Sequence, residues 1–123
     1  MNTEEVRLAV PALPEYIRLA RLTAAGLATR LGFTFDEVED LRMAVDELCY
    51  LLVGPTGRPG TLTLTFALAA GALVVTGDGG PSARPAEFAE LSEQILAAIV
   101  EEYEIAADTG RVSFRMLHGR QRT

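Results

Sequence analysis

The chain has 123 residues with 17 acidic and 11 basic side chains, and every basic one is Arg because Lys is absent. A net charge of −6 argues against the counterion-displacing contacts that hold proteins to nucleic acid, and the lack of Lys excludes a Walker-type phosphate lysine, Schiff-base chemistry and a lysine general base. One Asn (Asn2), one Cys (Cys49) and one His (His118) leave no material for a Cys/His zinc site, a disulfide framework or a Ser-His-Asp triad.

An apolar content of 49% with 23% charged residues supports an ordinary core, and the length fits one domain over 1–123. No apolar run is long enough to span a membrane. The opening residues, which include Glu4, Glu5 and Arg7, lack the layout of a signal peptide, so a cytoplasmic protein without a membrane partner is expected.

Val6, Leu8 and Val10 alternate as in a short strand that Pro11 and Pro14 end. From Glu15 to Leu31 the spacing is helical: Ala20, Ala24, Leu27 and Leu31 form one stripe, Arg18 and Arg21 lie off it, and Gly32 marks the stop. Thr34 with Glu37 has the form of a capping box, and Leu41, Ala44, Val45, Leu48 and Leu52 make the apolar face of a second helix, with Cys49 beside it as a small core residue. Gly54 to Gly60, with three Gly and two Pro, reads as a loop. Thr61, Thr63 and Thr65 then alternate with Leu62, Leu64, Phe66 and Leu68 in a half-buried strand.

Ala70-Gly71 turns the chain into a strand over Leu73–Thr76 that ends at a Gly77-Asp78-Gly79-Gly80-Pro81 turn. Phe88, Leu91, Ile95, Leu96 and Ile99 give a third helical face, and the acidic Glu101-Glu102-Tyr103-Glu104 stretch reads as its end. A hairpin from Tyr103–Ala107 to Val112–Leu117 closes the chain, with Val112, Phe114 and Met116 on one face and His118 in solvent beyond it. The expected fold is α+β, a two-layer sandwich of helices on a mostly antiparallel sheet in the order β-α-α-β-β-α-β-β.

Leu41-Arg42-Met43-Ala44-Val45-Asp46-Glu47-Leu48-Cys49 resembles the second helix of the anti-sigma factor serine/threonine kinases, a branch of the histidine-kinase-like (GHKL, Bergerat-fold) ATPases. The opening Val6-to-Pro14 segment, Tyr16-Ile17-Arg18, the Gly32-Phe33 turn and Ile99 to Ile105 resemble further stretches of that family in the same order. The resemblance implies a nucleotide cradle between helices and sheet. Its second helix carries a Glu that acts as base and, four residues on, an Asn that holds Mg²⁺. At roughly 100° per residue the two sit about 40° apart on one helix edge.

Glu47 fits the first position, but Leu51 occupies the second and offers no oxygen to a hard cation. The family's adenine-reading box, Asp-x-Gly-x-Gly, is matched by Asp78 and Gly80 alone. Where a Gly-x-Gly is wanted at the start of the third helix to receive phosphate, the chain has Glu90-Leu91-Ser92, and the stretch before it is short for a lid.

The resemblance therefore implies a regulatory protein of degenerate Bergerat fold that works through protein contacts, with catalysis lost and no cofactor. Its partner would be a sigma factor or an anti-sigma antagonist, and the family forms homodimers. Arg18 and Arg21 would be candidate partner contacts, since the family's first helix contributes to such interfaces. The alternative is an active serine/threonine protein kinase with Glu47 as base, Asp78 at adenine, and ATP and Mg²⁺ as cofactors. A third reading has the former cradle as an apolar pocket for a small ligand, with Leu51 as one wall.

Overall fold

The computed structural model describes residues 4–69, 71–80, 90–108 and 111–119. Element order is β1 (Glu4–Pro11), a 3-10 turn (Pro14–Tyr16), α1 (Ile17–Arg30), α2 (Phe35–Val53), β2 (Thr61–Ala69), β3 (Ala72–Asp78), α3 (Glu90–Ile99), β4 (Glu102–Asp108) and β5 (Arg111–Gly119). The strands form one five-stranded sheet in the spatial order β1-β2-β3-β5-β4, and every neighbouring pair is antiparallel.

Alternation in the strands assigns the two faces of this sheet. Leu62, Leu64, Phe66 and Leu68 of β2 and Leu73 and Val75 of β3 are buried against the helices, while the intervening threonines are only half-buried and face away. The helices meet that apolar face with small residues on α1 and large ones on α2. Ala20, Ala24 and Ala28 are fully buried and let α1 lie close to α2, which supplies Leu41, Val45, Leu48 and Leu52 to the same core.

The boundaries of α2 follow from local chemistry. Thr34 Oγ1 accepts from the Glu37 backbone N–H at 3.2 Å, and Glu37 Oε1 accepts from the Thr34 N–H at 2.7 Å, so the capping box read in the sequence is formed. At the other end the chain leaves through Gly54 at φ 78°. The following loop folds back on the end of β1: Arg58 N–H donates to Ala12 O at 2.9 Å, and Ala12 N–H donates to Gly60 O at 3.0 Å. Between them Gly57 has φ 80°, and a Cβ there would sit 2.8 Å from Leu13 Cδ2 and 3.0 Å from Ala12 O, so only Gly fits this contact.

Three expectations are corrected. The strand expected to end at Thr76 continues through Gly77 and Asp78, because Asp78 pairs with Thr63 on one side and Ser113 on the other, and two ladders outweigh the turn composition. Glu102 opens β4 rather than ending a helix, since it pairs with Leu117 of β5, and the strand expected over Tyr103–Ala107 is formed with Glu104 in it. Leu91, expected on the buried face of the third helix, is 66% exposed, and the burial of that helix rests on Leu96 with Ile95 and Ile99 half-buried. Phe88 and the side chains of Val112, Phe114, Met116 and His118 lie outside the described residues.

Two measurements test this packing. Thr34→Ala removes one half of the capping box and is expected to lower unfolding free energy by about 1 kcal/mol in urea titrations; a change below about 0.3 kcal/mol would mean the box contributes little. Cys49 is fully buried, and desolvation, aided by the nearby Asp46 charge, pushes its thiol far above the usual range. A raised folded value means the stability from this thiol is complete below its unfolded pKa of about 8.5 and is lost as pH climbs above it, by at most about 1.4 kcal/mol per pH unit. The wild type should therefore lose stability between pH 8 and 10 relative to Cys49→Ala, and parallel pH profiles for the two proteins would refute the assignment.

Candidate functional site

The C-terminal half of α2 supplies the site. Asp46 and Tyr50 are four residues apart and Glu47 and Tyr50 three, so all three share one edge of the helix. That edge borders a cavity of about 380 Å³ bounded by Pro14 and Ile17 at the start of α1, by Arg21 one turn on, and by Ser92 of α3. Tyr50 is 42% exposed at its rim.

Glu47 is held across the helix layer. Ser92 Oγ donates to Glu47 Oε1, joining residues 45 positions apart and tying α3 to α2. The glutamate that the family resemblance singles out as a base is thus half-buried and engaged. Arg21 Nε lies 3.5 Å from Asp46 Oδ1, close enough for charge pairing but too long for a good hydrogen bond, and that Nε has no hydrogen-bond partner. With both side chains substantially exposed, the pair contributes little to stability. Arg18, the other candidate contact on the first helix, is exposed.

Leu51 follows Glu47 by one helical turn, yet it is only 2% exposed and does not border the cavity. The expectation that Leu51 walls a ligand pocket is therefore corrected: the helix edge turns into the protein between positions 50 and 51.

Asp78 lies elsewhere. On β3 the buried residues are Leu73, Val75 and Gly77, which point toward the helices, so Asp78 falls with Val74 and Thr76 on the opposite face. There it borders a shallow hollow of about 530 Å³ with Thr63, Thr65, Ser113 and Arg115. Its Oδ1 accepts the Gly80 N–H at 2.8 Å, an Asx-type turn that places Gly80 at φ 92°. The structure thus brings Glu47 to Ser92 but separates Asp78 from both by the thickness of the sheet. Gly77 occupies the helix-facing place on that strand and has no side chain to read a base.

These residues do not fit Mg²⁺-ATP. The place of the metal ligand is a buried leucine, Ser92 engages the carboxylate of the candidate base, and the candidate adenine reader faces the other side of the sheet. Among the described residues no group of three or more His, Cys, Asp or Glu side chains is arranged to hold a metal ion. Residues 81–89, where a lid would be sought, lie outside the described residues.

Sequence reasoning missed Asp46, Tyr50 and the engagement of Ser92. The i, i+4 spacing of Asp46 and Tyr50 was a visible signal for a shared edge, whereas the Ser92–Glu47 and Arg21–Asp46 contacts depend on how three helices pack.

Comparison with known proteins gives a consistent placement. The pattern of the family described as histidine kinase-like ATPase domain matches residues 10–116. The chain is similar to the serine-protein kinase RsbW of Bacillus subtilis, with 50% identity over 48 residues that cover 39% of this chain and 30% of that protein. It is 41% identical to the protein of the same name from Halalkalibacterium halodurans over 66 residues, 53% of this chain and 41% of that one. For the Bacillus thuringiensis protein the figures are 34% over 82 residues, 64% and 51%. The matched part of the chain spans about half or less of these relatives' length. No described helix is long and apolar enough to cross a membrane. The three-helix layer on an antiparallel sheet and a family pattern covering residues 10–116 lead to one conclusion: the chain belongs to the histidine kinase-like ATPase domain family.

Proposed function

We propose that this chain is a regulatory member of the family, anti-sigma-factor-like, that acts through protein contacts and has lost phosphoryl transfer. Its partner is a sigma factor or an anti-sigma antagonist, engaged in the cytoplasm, with homodimerisation as in the resembled branch and no role for nucleic acid or a membrane. The observation that carries the reading is Leu51, buried one turn beyond Glu47 where the resembled enzymes place the Mg²⁺ ligand. Phosphoryl transfer relies on cations that offset charge on the moving group, so a site without a metal ligand is impaired far more than one lacking a base. The glutamate at position 90 and the serine at 92, where the phosphate seat wants glycine, support the same reading.

The alternative is an active ATP-dependent serine/threonine kinase, with Glu47 as base and Asp78 and Gly80 at the nucleotide. It draws support from the name serine-protein kinase borne by the relatives. The placement of Asp78 on the face away from Glu47 speaks against it.

Calorimetric titration decides between the two. No Mg²⁺-dependent ATP binding tighter than millimolar is expected, and a micromolar, Mg²⁺-dependent isotherm would overturn the proposal. Leu51→Asn should not restore binding; it should instead destabilise the fold by about 2–4 kcal/mol, because it puts an amide among apolar neighbours. A variant that keeps its stability and gains ATP affinity would show the site to be one substitution from function. Capture of a sigma factor or of an antagonist domain from the native host is the expected result for the regulatory role, and capture of neither would count against it.

A further inference from the structure

The cavity between α1, α2 and α3 has a chemistry that the loss of nucleotide does not explain. Its charged groups are Arg21, Asp46 and Glu47. Arg21 and Asp46 are 3.5 Å apart and largely offset each other's field, which leaves the Glu47 carboxylate as the uncompensated charge. Three residues on along the same helix edge Tyr50 is exposed at the rim, and Pro14 and Ile17 contribute apolar surface to the lining. A carboxylate, an aromatic ring and an apolar lining of some 380 Å³ are the elements that recognise an organic cation on an aliphatic stem.

The hydrogen bond from Ser92 narrows the class. A guanidinium is best held by both oxygens of a carboxylate in one plane, and Ser92 Oγ already takes one acceptor position of Glu47 Oε1, which leaves Oε2 as the less encumbered oxygen for an incoming donor. A compact ammonium, with donors it can rotate, suits a single oxygen. The chain itself contains no Lys, so no lysine side chain of a second copy can fill the cavity.

We propose that this cavity binds a primary alkylammonium group supplied by another molecule, either a lysine side chain of a protein partner or a free aliphatic amine. The Glu47 carboxylate pairs with the ammonium, Tyr50 covers it, and Pro14 and Ile17 take the stem. The inference deepens the regulatory reading insofar as Glu47 serves recognition in place of phosphoryl transfer, but it stands or falls on amine binding and not on the ATP titration.

The test is a ¹H–¹⁵N resonance titration of the full chain with four probes: n-butylamine, the tripeptide acetyl-Gly-Lys-Gly-amide, its norleucine analogue and its arginine analogue. Millimolar or tighter binding of an amine is expected, with shifts concentrated at residues 17–21, 46–50 and 92, weakening as salt is raised. A lysyl peptide that binds better than n-butylamine identifies a protein side chain as the source, and equal binding identifies free amines. Glu47→Gln, which keeps an acceptor for Ser92, should weaken binding about tenfold and Tyr50→Leu about fivefold, with both variants checked for an unchanged melting temperature. The proposal is overturned if the norleucine peptide gives the same shifts, if the arginine peptide binds more tightly than the lysyl one, or if Tyr50→Leu binds as the wild type does.

Discussion

The burial of α2 is the constraint on which the rest depends. From Leu48 onward this helix is apolar and enclosed: Leu48, Cys49, Leu51, Leu52 and Val53 are all buried and Tyr50 alone of the last six is exposed. A helix end that is apolar almost all round must sit inside the protein, and here it lies between α1 and the sheet. Asp46, Glu47 and Tyr50 are consequently the last polar side chains the helix presents before it is covered. Any site on this element has to be built from them, and a metal ligand one turn further on would have to be placed within the core.

The sheet imposes a second division. Because successive side chains on a strand point to opposite faces, a shift of one residue decides whether a group meets the helices or the open side. Asp78 follows a buried glycine and therefore joins the threonines of β2 and β3 and Ser113 of β5 on the far face. Among the described residues the candidate site groups thus fall into two sets, one around Glu47 in the helix layer and one around Asp78 on the outer face of the sheet. Neither set by itself contains both a base and a nucleobase reader.

Much of this was legible in the sequence. The capping box at Thr34, the apolar face of α2, the threonine-leucine alternation of β2 and the order of elements each express a local rule of spacing or of backbone chemistry, and such rules act within a few residues. The family resemblance was equally legible because it rests on contiguous stretches. What escaped were the features set by contacts between distant elements. The strand assignment of Asp78 depends on ladders to β2 and β5 that override a Gly-rich composition, and the exposure of Leu91 depends on how little of α3 is covered. The pairing of Arg21 with Asp46 needs α1 and α2 to be docked first.

The engagement of Glu47 by Ser92 has a physical account that requires no catalysis. A carboxylate half-buried at the mouth of a helix layer loses solvation, and an unpartnered one would be costly to keep. Ser92 supplies a hydroxyl donor from α3 to one of its oxygens, and the bond also links α3 to the layer through a polar contact where little of that helix is buried. Ser92, where the resembled family's pattern has glycine, thus gives Glu47 a hydrogen-bond partner within the helix layer. With Leu51 buried one turn beyond it and Ser92 bonded to one of its oxygens, the Glu47 carboxylate is held by the packing of the helix layer itself.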